Sequence, residues 1–464
     1  MARKFFQKRA ADRRGRPVAA VLMALLLFFT PSLGGLDLAY AEYTPPVQLQ
    51  SQGAYLINLD SDMVIYQKNA SQQMYPSWLT MIMTAILIME NVEDLDSTVV
   101  TAKQWMFDEF YGYSVPTAGI QAGEELSMRQ LLYCMLLQSS CEAANVAAYY
   151  VGDESIPHFV DMMNEKAIEL GAVNTHFENP HGMQNEKQVT TPYDIYLIAR
   201  YAMDIPGFMD IVNTTVYNME DTNMVTGRTL VNSNYLLSQY QADGKYYYAP
   251  TSGIKNGGSR DAGRSLVSTA QQNGMNYMLV LMGAPMYDES GAAYSENFAY
   301  SETKSLYQWV YDTFSVKVLL KQNEPVDEVK LSLAWDKDYL LLMPEKSFSA
   351  LIPNDIDPES VQKVAALPEE GVMAPVAKGD VIGSVKLILA GEQVGQVNLV
   401  AAEDVSRSEI LFLLHQLGAF FTSVPFWLCL GVLAFALIGY TVYTAARNGA
   451  GEKPKYPRSK QKKR

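Results

Sequence analysis

The feature that most constrains this chain is a long apolar stretch near its C terminus. Residues 424–446 are twenty-three in number and none of them is charged. As a helix this stretch would be ~34 Å long, which is enough to cross a bilayer. Trp427, Tyr440 and Tyr443 lie towards its ends, where amphipathic rings favour the membrane–water interface. The stretch therefore predicts a transmembrane helix over 424–446.

Basic residues at both ends of the chain predict its topology. Residues 447–464 carry eight basic side chains and one acidic one, and positive flanks stay in the cytoplasm. The first seventeen residues carry seven basic side chains, and an apolar run over 18–29 and the small residues Ala39-Tyr-Ala41 follow. This pattern predicts a secretory signal peptide over 1–41, with an uncleaved anchor as the alternative. The intervening chain is expected outside the cytoplasmic membrane.

Net charge and composition exclude several partners and cofactors. The two ends carry +5 and +7, so the overall charge of −14 leaves −26 for the residues between them. Such an acidic region makes nucleic acid an unsuitable partner. Three cysteines cannot form a disulfide framework. The spacing of His176, Glu178 and His181 fits no standard metal site, so neither a metal nor a cofactor is expected.

Hydrophobic patterning divides the exported chain into two regions. Residues 42–313 mix strands with apolar helices, predicted at Ala54–Asn58, Met63–Gln67, Ser77–Glu90, Met128–Tyr150 (interrupted near Ser139), Ser265–Thr269 and Tyr277–Met282. Residues 314–403 alternate apolar and polar side chains, with Gly and Pro between the runs, and predict a small all-β domain. The apolar segment within 404–423 is expected to lie along the membrane surface.

Eight segments of the sequence, taken in chain order, resemble segments of one known family. They are Gly53–Asp60, Tyr66–Ala70, Tyr75–Thr84, Gln138–Ala144, Asn179–Gly182, Thr191–Asp194, Gly253–Ser259 and, in the β-rich region, Ala374–Gly383. Together they resemble the serine-type D-Ala-D-Ala carboxypeptidases, the low-molecular-mass penicillin-binding proteins. The resemblance implies an α+β fold of the β-lactamase/transpeptidase type, with an antiparallel sheet between helices. It also implies a peptidoglycan stem peptide as the substrate class.

The resemblance also exposes losses at the positions that carry the family's chemistry. The family mechanism needs a serine nucleophile and a lysine base three residues later, on one face of a helix. Trp78 stands at the serine position and Met81 at the lysine position. Neither side chain can attack a carbonyl or accept a proton.

The second and third family motifs are only partly kept. Ser139 is retained in the second motif, but Cys141 replaces its asparagine. The third motif keeps Lys255 and Gly257, while Asn256 replaces its threonine. Of these residues Ser139, Lys255, Asn256 and Gly257 are the candidate ligand-binding set, and no catalytic set is intact.

Three functions remain open from the sequence. The first is a pseudoenzyme that binds or scaffolds at peptidoglycan and contacts stem peptide or an active cell-wall enzyme. The second is a working serine-type carboxypeptidase with an unexpected nucleophile, for which Ser77 and Cys141 are the candidates. Ser77 has Thr80 rather than a base three residues on, and Cys141 fits a small apolar residue in a buried turn much better than it fits a nucleophile. The third is a structural wall-spacing protein.

Overall fold

The structure, a computed structural model, describes residues 43–449. The expected signal peptide and the basic tail from residue 450 onwards lie outside the described residues. Helices α1 to α9 span Met81–Asn91, Met128–Gln138, Cys141–Val151, Ile156–Glu169, Pro192–Met203, Phe208–Asn213, Phe298–Thr313, Glu409–Thr422 and Val424–Gly449. Strands β1 to β9 span Gly53–Asn58, Met63–Lys68, Val99–Thr101, Glu125–Ser127, Val216–Asn218, Thr229–Val231, Thr251–Ser259, Gly263–Gln272 and Met275–Ala284. Strands β10 to β17 span Phe314–Leu320, Asp327–Ser332, Tyr339–Pro344, Phe348–Pro353, Gln362–Ala366, Val372–Met373, Val381–Leu389 and Glu392–Ala401.

A five-stranded antiparallel sheet forms the centre of the first region, with strand order β2-β1-β9-β8-β7. Successive side chains of a strand point to opposite faces. Tyr55 and Ile57 of β1 therefore join the core that contains α1, whereas Ala54 and Leu56 join the core that contains Tyr307 of α7. The predicted antiparallel sheet with helices on both faces is confirmed.

The helices that carry the motif positions form where the sequence predicts them. The first eight residues of α1 are all buried, as expected for a helix that is apolar on every side. The predicted helical stretch from Met128 is interrupted at Ser139, which adopts a left-handed conformation with φ 57°. Ser140 then caps α3, since its side chain accepts a hydrogen bond from the backbone N–H of Ala143 at 3.2 Å. The interruption places Ser139 at the junction of two helices.

The region from Phe314 onwards is rich in β-strands. Its larger sheet has the strand order β14-β16-β17-β12-β11-β15, and β10 pairs with β13. Val385 and Leu387 of β16 are fully buried, while Lys386 between them is exposed. This alternation is the period of two from which the sequence predicted strands.

Two apolar helices end the described chain. Ser408 caps α8, and its backbone N–H donates to the carbonyl of Leu333 at 2.7 Å, so the helix begins against the β-rich region. No residue of α8 is buried. Residues Val424–Arg447 contain an 18-residue stretch with a mean hydropathy of 1.9 and are long and apolar enough to cross a membrane.

Candidate active site

Trp78 and Met81, at which the sequence predicts replacement of the family's reactive pair, lie at the beginning of α1. Trp78 is half-buried in a 3-10 helix, Ser77–Thr80, and lines an open cavity. Met81 is fully buried in the apolar core and does not line that cavity. Ser77 is also buried, and its hydroxyl has no hydrogen-bond partner among the described residues. The indole of Trp78 therefore faces the cavity, whereas the Met81 side chain does not line it.

The junction of α2 and α3 carries the second motif. Ser139 lines the same cavity as Trp78. Cys141, the first residue of α3, is fully buried and does not line it. Burial raises the pKa of the Cys141 thiol, and the nearby carboxylates of Glu142 and Glu109 raise it further against the opposing effect of Lys255. A thiol in this state stays protonated and is a poor nucleophile.

Lys255 of β7 points into the protein rather than into the cavity. Its side chain is 1 % exposed, and its Nζ donates to the hydroxyl of Ser139 at 2.5 Å and to the carbonyl of Asn256 at 2.8 Å. No carboxylate of the described chain forms an ion pair with it. Burial lowers the pKa of Lys255 to about 7, since an ammonium ion loses its hydration there. The hydrogen bond from the Lys255 amine therefore fixes the orientation of the Ser139 hydroxyl.

The other two residues of the third motif form the cavity wall. The Asn256 carboxamide oxygen accepts a hydrogen bond from the hydroxyl of Ser233 at 2.9 Å. Gly257 lies directly against the backbone of Trp78, since a Cβ at position 257 would approach the Trp78 nitrogen to 3.2 Å. The absence of a side chain at position 257 thus lets β7 pack against the 3-10 helix.

The cavity has a volume of about 330 Å³ and also contains a charge that the sequence analysis did not select. Arg264 of β8 lines it, opposite Gly258 of β7 in the strand register. One guanidinium nitrogen donates to the carbonyl of Glu296 at 2.9 Å, and the structure gives no further hydrogen bond for this group among the described residues. Arg264 directly precedes the predicted strand Ser265–Thr269, but strand pairing is needed to place it beside β7.

The loop Asn179–Gly182 supports the beginning of α1 from behind. Gly182 has φ +88°, and a Cβ there would come within 2.0 Å of the Ser77 carbonyl oxygen. The hydroxyl of Thr84 donates to the Pro180 carbonyl at 2.6 Å. This loop therefore supports the backbone at the beginning of α1.

The two histidines weighed as metal ligands in the sequence have separate partners. His176 Nε2 lies 2.9 Å from the carboxylate of Glu178, whereas His181 Nε2 lies 3.4 Å from that of Glu109. Within residues 43–449 no group of three or more His, Cys, Asp or Glu side chains is arranged to hold a metal ion.

Comparison with known proteins identifies the class to which this fold and site belong. The profile described as D-alanyl-D-alanine carboxypeptidase matches residues 40–286, and the profile described as penicillin-binding protein 5, C-terminal domain, matches residues 314–407. The chain belongs to the D-alanyl-D-alanine carboxypeptidase family.

Individual relatives agree with this assignment over most of the chain. D-alanyl-D-alanine carboxypeptidase DacF of Bacillus subtilis is 27% identical over 402 residues, which cover 85% of this chain and 95% of the relative. Penicillin-binding protein 5 of Haemophilus influenzae shares the fold with a TM-score of 0.56 at 24% identity, covering 79% of this chain and all of that one. The Streptomyces K15 DD-transpeptidase has a TM-score of 0.50 at 27% identity, covering 57% of this chain and 98% of that one.

Proposed function

We propose that this protein is a pseudoenzyme that binds the D-Ala-D-Ala end of peptidoglycan stem peptides and does not hydrolyse them. The observation that carries the proposal is an open cavity lined by Ser139, Asn256, Gly257, Arg264 and Trp78. Trp78 is the residue that the family resemblance aligns with the nucleophile. Loss of the reactive pair removes acyl transfer, whereas the polar wall of the cavity can still bind a peptide.

The proposal includes a membrane-bound arrangement of the chain. Residues 42–313 would bind the ligand outside the cytoplasmic membrane, and 314–403 would hold them above it. Residues 404–423 would lie at the membrane surface, 424–446 would cross it, and the basic tail 447–464 would be cytoplasmic. An 18-residue stretch of the last described helix has a mean hydropathy of 1.9, and no residue of the preceding helix is buried; both support this order.

Each wall residue has a distinct part in ligand binding. The Arg264 guanidinium offers a bidentate partner for the terminal carboxylate. The Ser139 hydroxyl and Asn256 carboxamide offer donors and acceptors for the peptide groups, and the Trp78 ring offers an apolar contact for a D-Ala methyl group. Lys255 acts indirectly, because its amine is buried and already donates to Ser139.

Replacing the guanidinium tests this binding mode. We expect Arg264→Ala to weaken binding of diacetyl-Lys-D-Ala-D-Ala about 10- to 100-fold, because a charged hydrogen-bonding pair to the carboxylate is lost. Isothermal titration calorimetry on the full-length protein measures this change. The matched control is Arg260→Ala, since Arg260 packs over the Tyr287 ring and does not line the cavity. Equal affinities for the wild type and Arg264→Ala would refute the carboxylate assignment, and no binding by the wild type would favour a spacing role.

One observation favours a second candidate, a carboxypeptidase that uses Ser139 as its nucleophile. The Ser139 hydroxyl lines the cavity and lies 2.5 Å from the amine of Lys255. Because burial lowers the pKa of Lys255 to about 7, this amine is partly neutral at physiological pH and can accept a proton. Ser139 is itself buried, which limits the approach of a carbonyl carbon. Covalent labelling at Ser139 distinguishes the two candidates.

A further inference from the structure

A second and larger cavity lies at the far end of α3 from Ser139. It has a volume of about 730 Å³ and is lined by the end of α3, by β3 and by the start of α4. Helix α3 has eleven residues, so its two ends are about 15 Å apart at ~1.5 Å per residue. The motif residues do not line this cavity, and the proposed peptide site does not extend into it.

One segment connects the two cavities. Residues 103–117, called the strap below, run along α3 in the opposite direction. At the larger cavity, Lys103 Nζ donates to the hydroxyl of Tyr149 at 3.3 Å. At the smaller cavity, the backbone N–H of Cys141 donates to the carbonyl of Pro116 at 3.1 Å. The strap therefore follows the whole length of α3 from one cavity to the other.

Inward side chains hold the strap in place. Met106 and Phe110 are buried in the main core. The Glu109 carboxylate accepts a hydrogen bond from Asn145 of α3 at 2.5 Å and lies near His181. Burial favours the neutral form of Glu109, but the interactions with His181 and Asn145 outweigh it and lower the pKa. The strap is thus a fixed surface feature.

Three of the outward side chains of the strap are aromatic, among exposed polar ones. Trp105, Tyr111 and Tyr113 are 47%, 92% and 66% exposed. The Trp105 ring packs edge-on against Tyr149 with centroids 5.1 Å apart. Tyr149 and the exposed Tyr150 that follows it in α3 both line the larger cavity. Several exposed aromatic rings on an anchored segment are characteristic of a binding surface, since burial would otherwise favour turning them inward.

The polar lining of the larger cavity indicates the charge of the ligand. Lys103 supplies a positive group, Asp153 and Glu154 supply negative groups, and His158 adds a ring that can donate or accept. A ligand of one charge sign would meet like charges in this lining. A neutral ligand whose groups both donate and accept hydrogen bonds can pair with the carboxylates and with the ammonium group of this lining.

We propose that the strap and the larger cavity bind a neutral oligosaccharide of N-acetylated hexosamines. The apolar faces of the sugar rings would stack on Trp105 and Tyr150, and their hydroxyl groups would donate to Asp153 and Glu154 and accept from Lys103. This inference goes beyond the proposed function, because it requires no ligand in the smaller cavity. A glycan on the strap would pass within reach of a peptide bound beside Ser139.

The test uses the full-length protein in lipid nanodiscs and the tetramer of β-1,4-linked N-acetylglucosamine, which contains no peptide. We expect calorimetric binding to the wild type, and about tenfold weaker binding to Trp105→Ala and to Tyr150→Ala, because each loses one stacking surface. The matched control is Tyr240→Ala, since Tyr240 is highly exposed and lines neither cavity. All three side chains are accessible, so the variants are expected to keep the wild-type circular dichroism spectrum.

Several outcomes would overturn the inference. The inference would be overturned if the wild type did not bind the tetramer. It would also be overturned if Tyr240→Ala weakened binding as much as Trp105→Ala. Binding of the tetramer that disappears between 0.05 and 0.5 M salt would also contradict a neutral ligand, because only ionic contacts are screened strongly over about this range. The peptide without sugar probes the smaller cavity alone, so failure of the glycan site and failure of the proposed function are distinguishable.

Discussion

The variant with Trp78→Ser, Met81→Lys, Cys141→Asn and Asn256→Thr is expected to release D-Ala from diacetyl-Lys-D-Ala-D-Ala at least about 10⁴-fold faster than the wild-type chain. Serine at position 78 would lie at the cavity, where the indole now lies. Lysine at position 81 would lie three residues further along the same helix face, as a base requires. Groups of this kind act as a unit, so all of them must be present for the full gain.

The double variant Trp78→Ser with Met81→Lys is expected to recover only a small part of that gain. Cys141 would still offer a buried protonated thiol in place of a carboxamide. Asn256 would still take part in a hydrogen bond with Ser233, where the family has a threonine. The measurement is the amount of D-Ala released per minute, compared among the wild-type, double-variant and quadruple-variant proteins. A double variant as fast as the quadruple one would mean that Cys141 and Asn256 do not limit the site.

Lys255→Met is expected to remove a pH dependence of stability that the wild type shows. The pKa of Lys255 is about 7 in the folded protein, and an unfolded lysine has a pKa of about 10.4. Between these two values the unfolded state binds more protons, so the free energy of unfolding rises with pH. The rise is about 2 kcal/mol from pH 6.5 to 8.5 and is lost again as the pH falls through 7.

Urea unfolding of the full-length chain in detergent micelles measures this dependence. The quantity to compare is the slope of the free energy of unfolding against pH. The free energy itself also changes for another reason, because Lys255→Met leaves Ser139 and the Asn256 carbonyl without a donor. The matched control is Lys187→Met at an exposed position, which should keep the wild-type slope. Parallel slopes for the wild type and Lys255→Met would show that Lys255 stays charged in the fold.

Local sequence patterns predict most of the elements that build the site. The uninterrupted apolar character of Ser77–Glu90 predicts a buried helix, and the structure has a 3-10 turn followed by α1 there. The break near Ser139 and the strands around Ser265 and Tyr277 are also found where they were predicted. These features depend on residues close in sequence, so periodicity and turn-forming residues are enough to predict them.

The parts that the sequence could not provide all depend on distant residues. Arg264 reaches the cavity because β8 pairs with β7, and a single strand pattern does not reveal its partner. The environment of Lys255 depends on burial by the helix junction at Ser139, which lies 116 residues away. The strap lacks strong periodicity, and its path along α3 appears only once Pro116 and Cys141 are seen to pair.

The measurement that tests the central claim most directly is covalent labelling of the full-length protein by fluorescent penicillin. The quadruple repair variant serves as the positive control, and Ser139→Ala serves to locate any reaction. The account predicts no labelled band for the wild type, because the cavity is lined by the indole of Trp78, which the resemblance aligns with the family's nucleophile. Stoichiometric labelling of the wild type that disappears in Ser139→Ala would contradict the account and identify an active acyl-transfer enzyme.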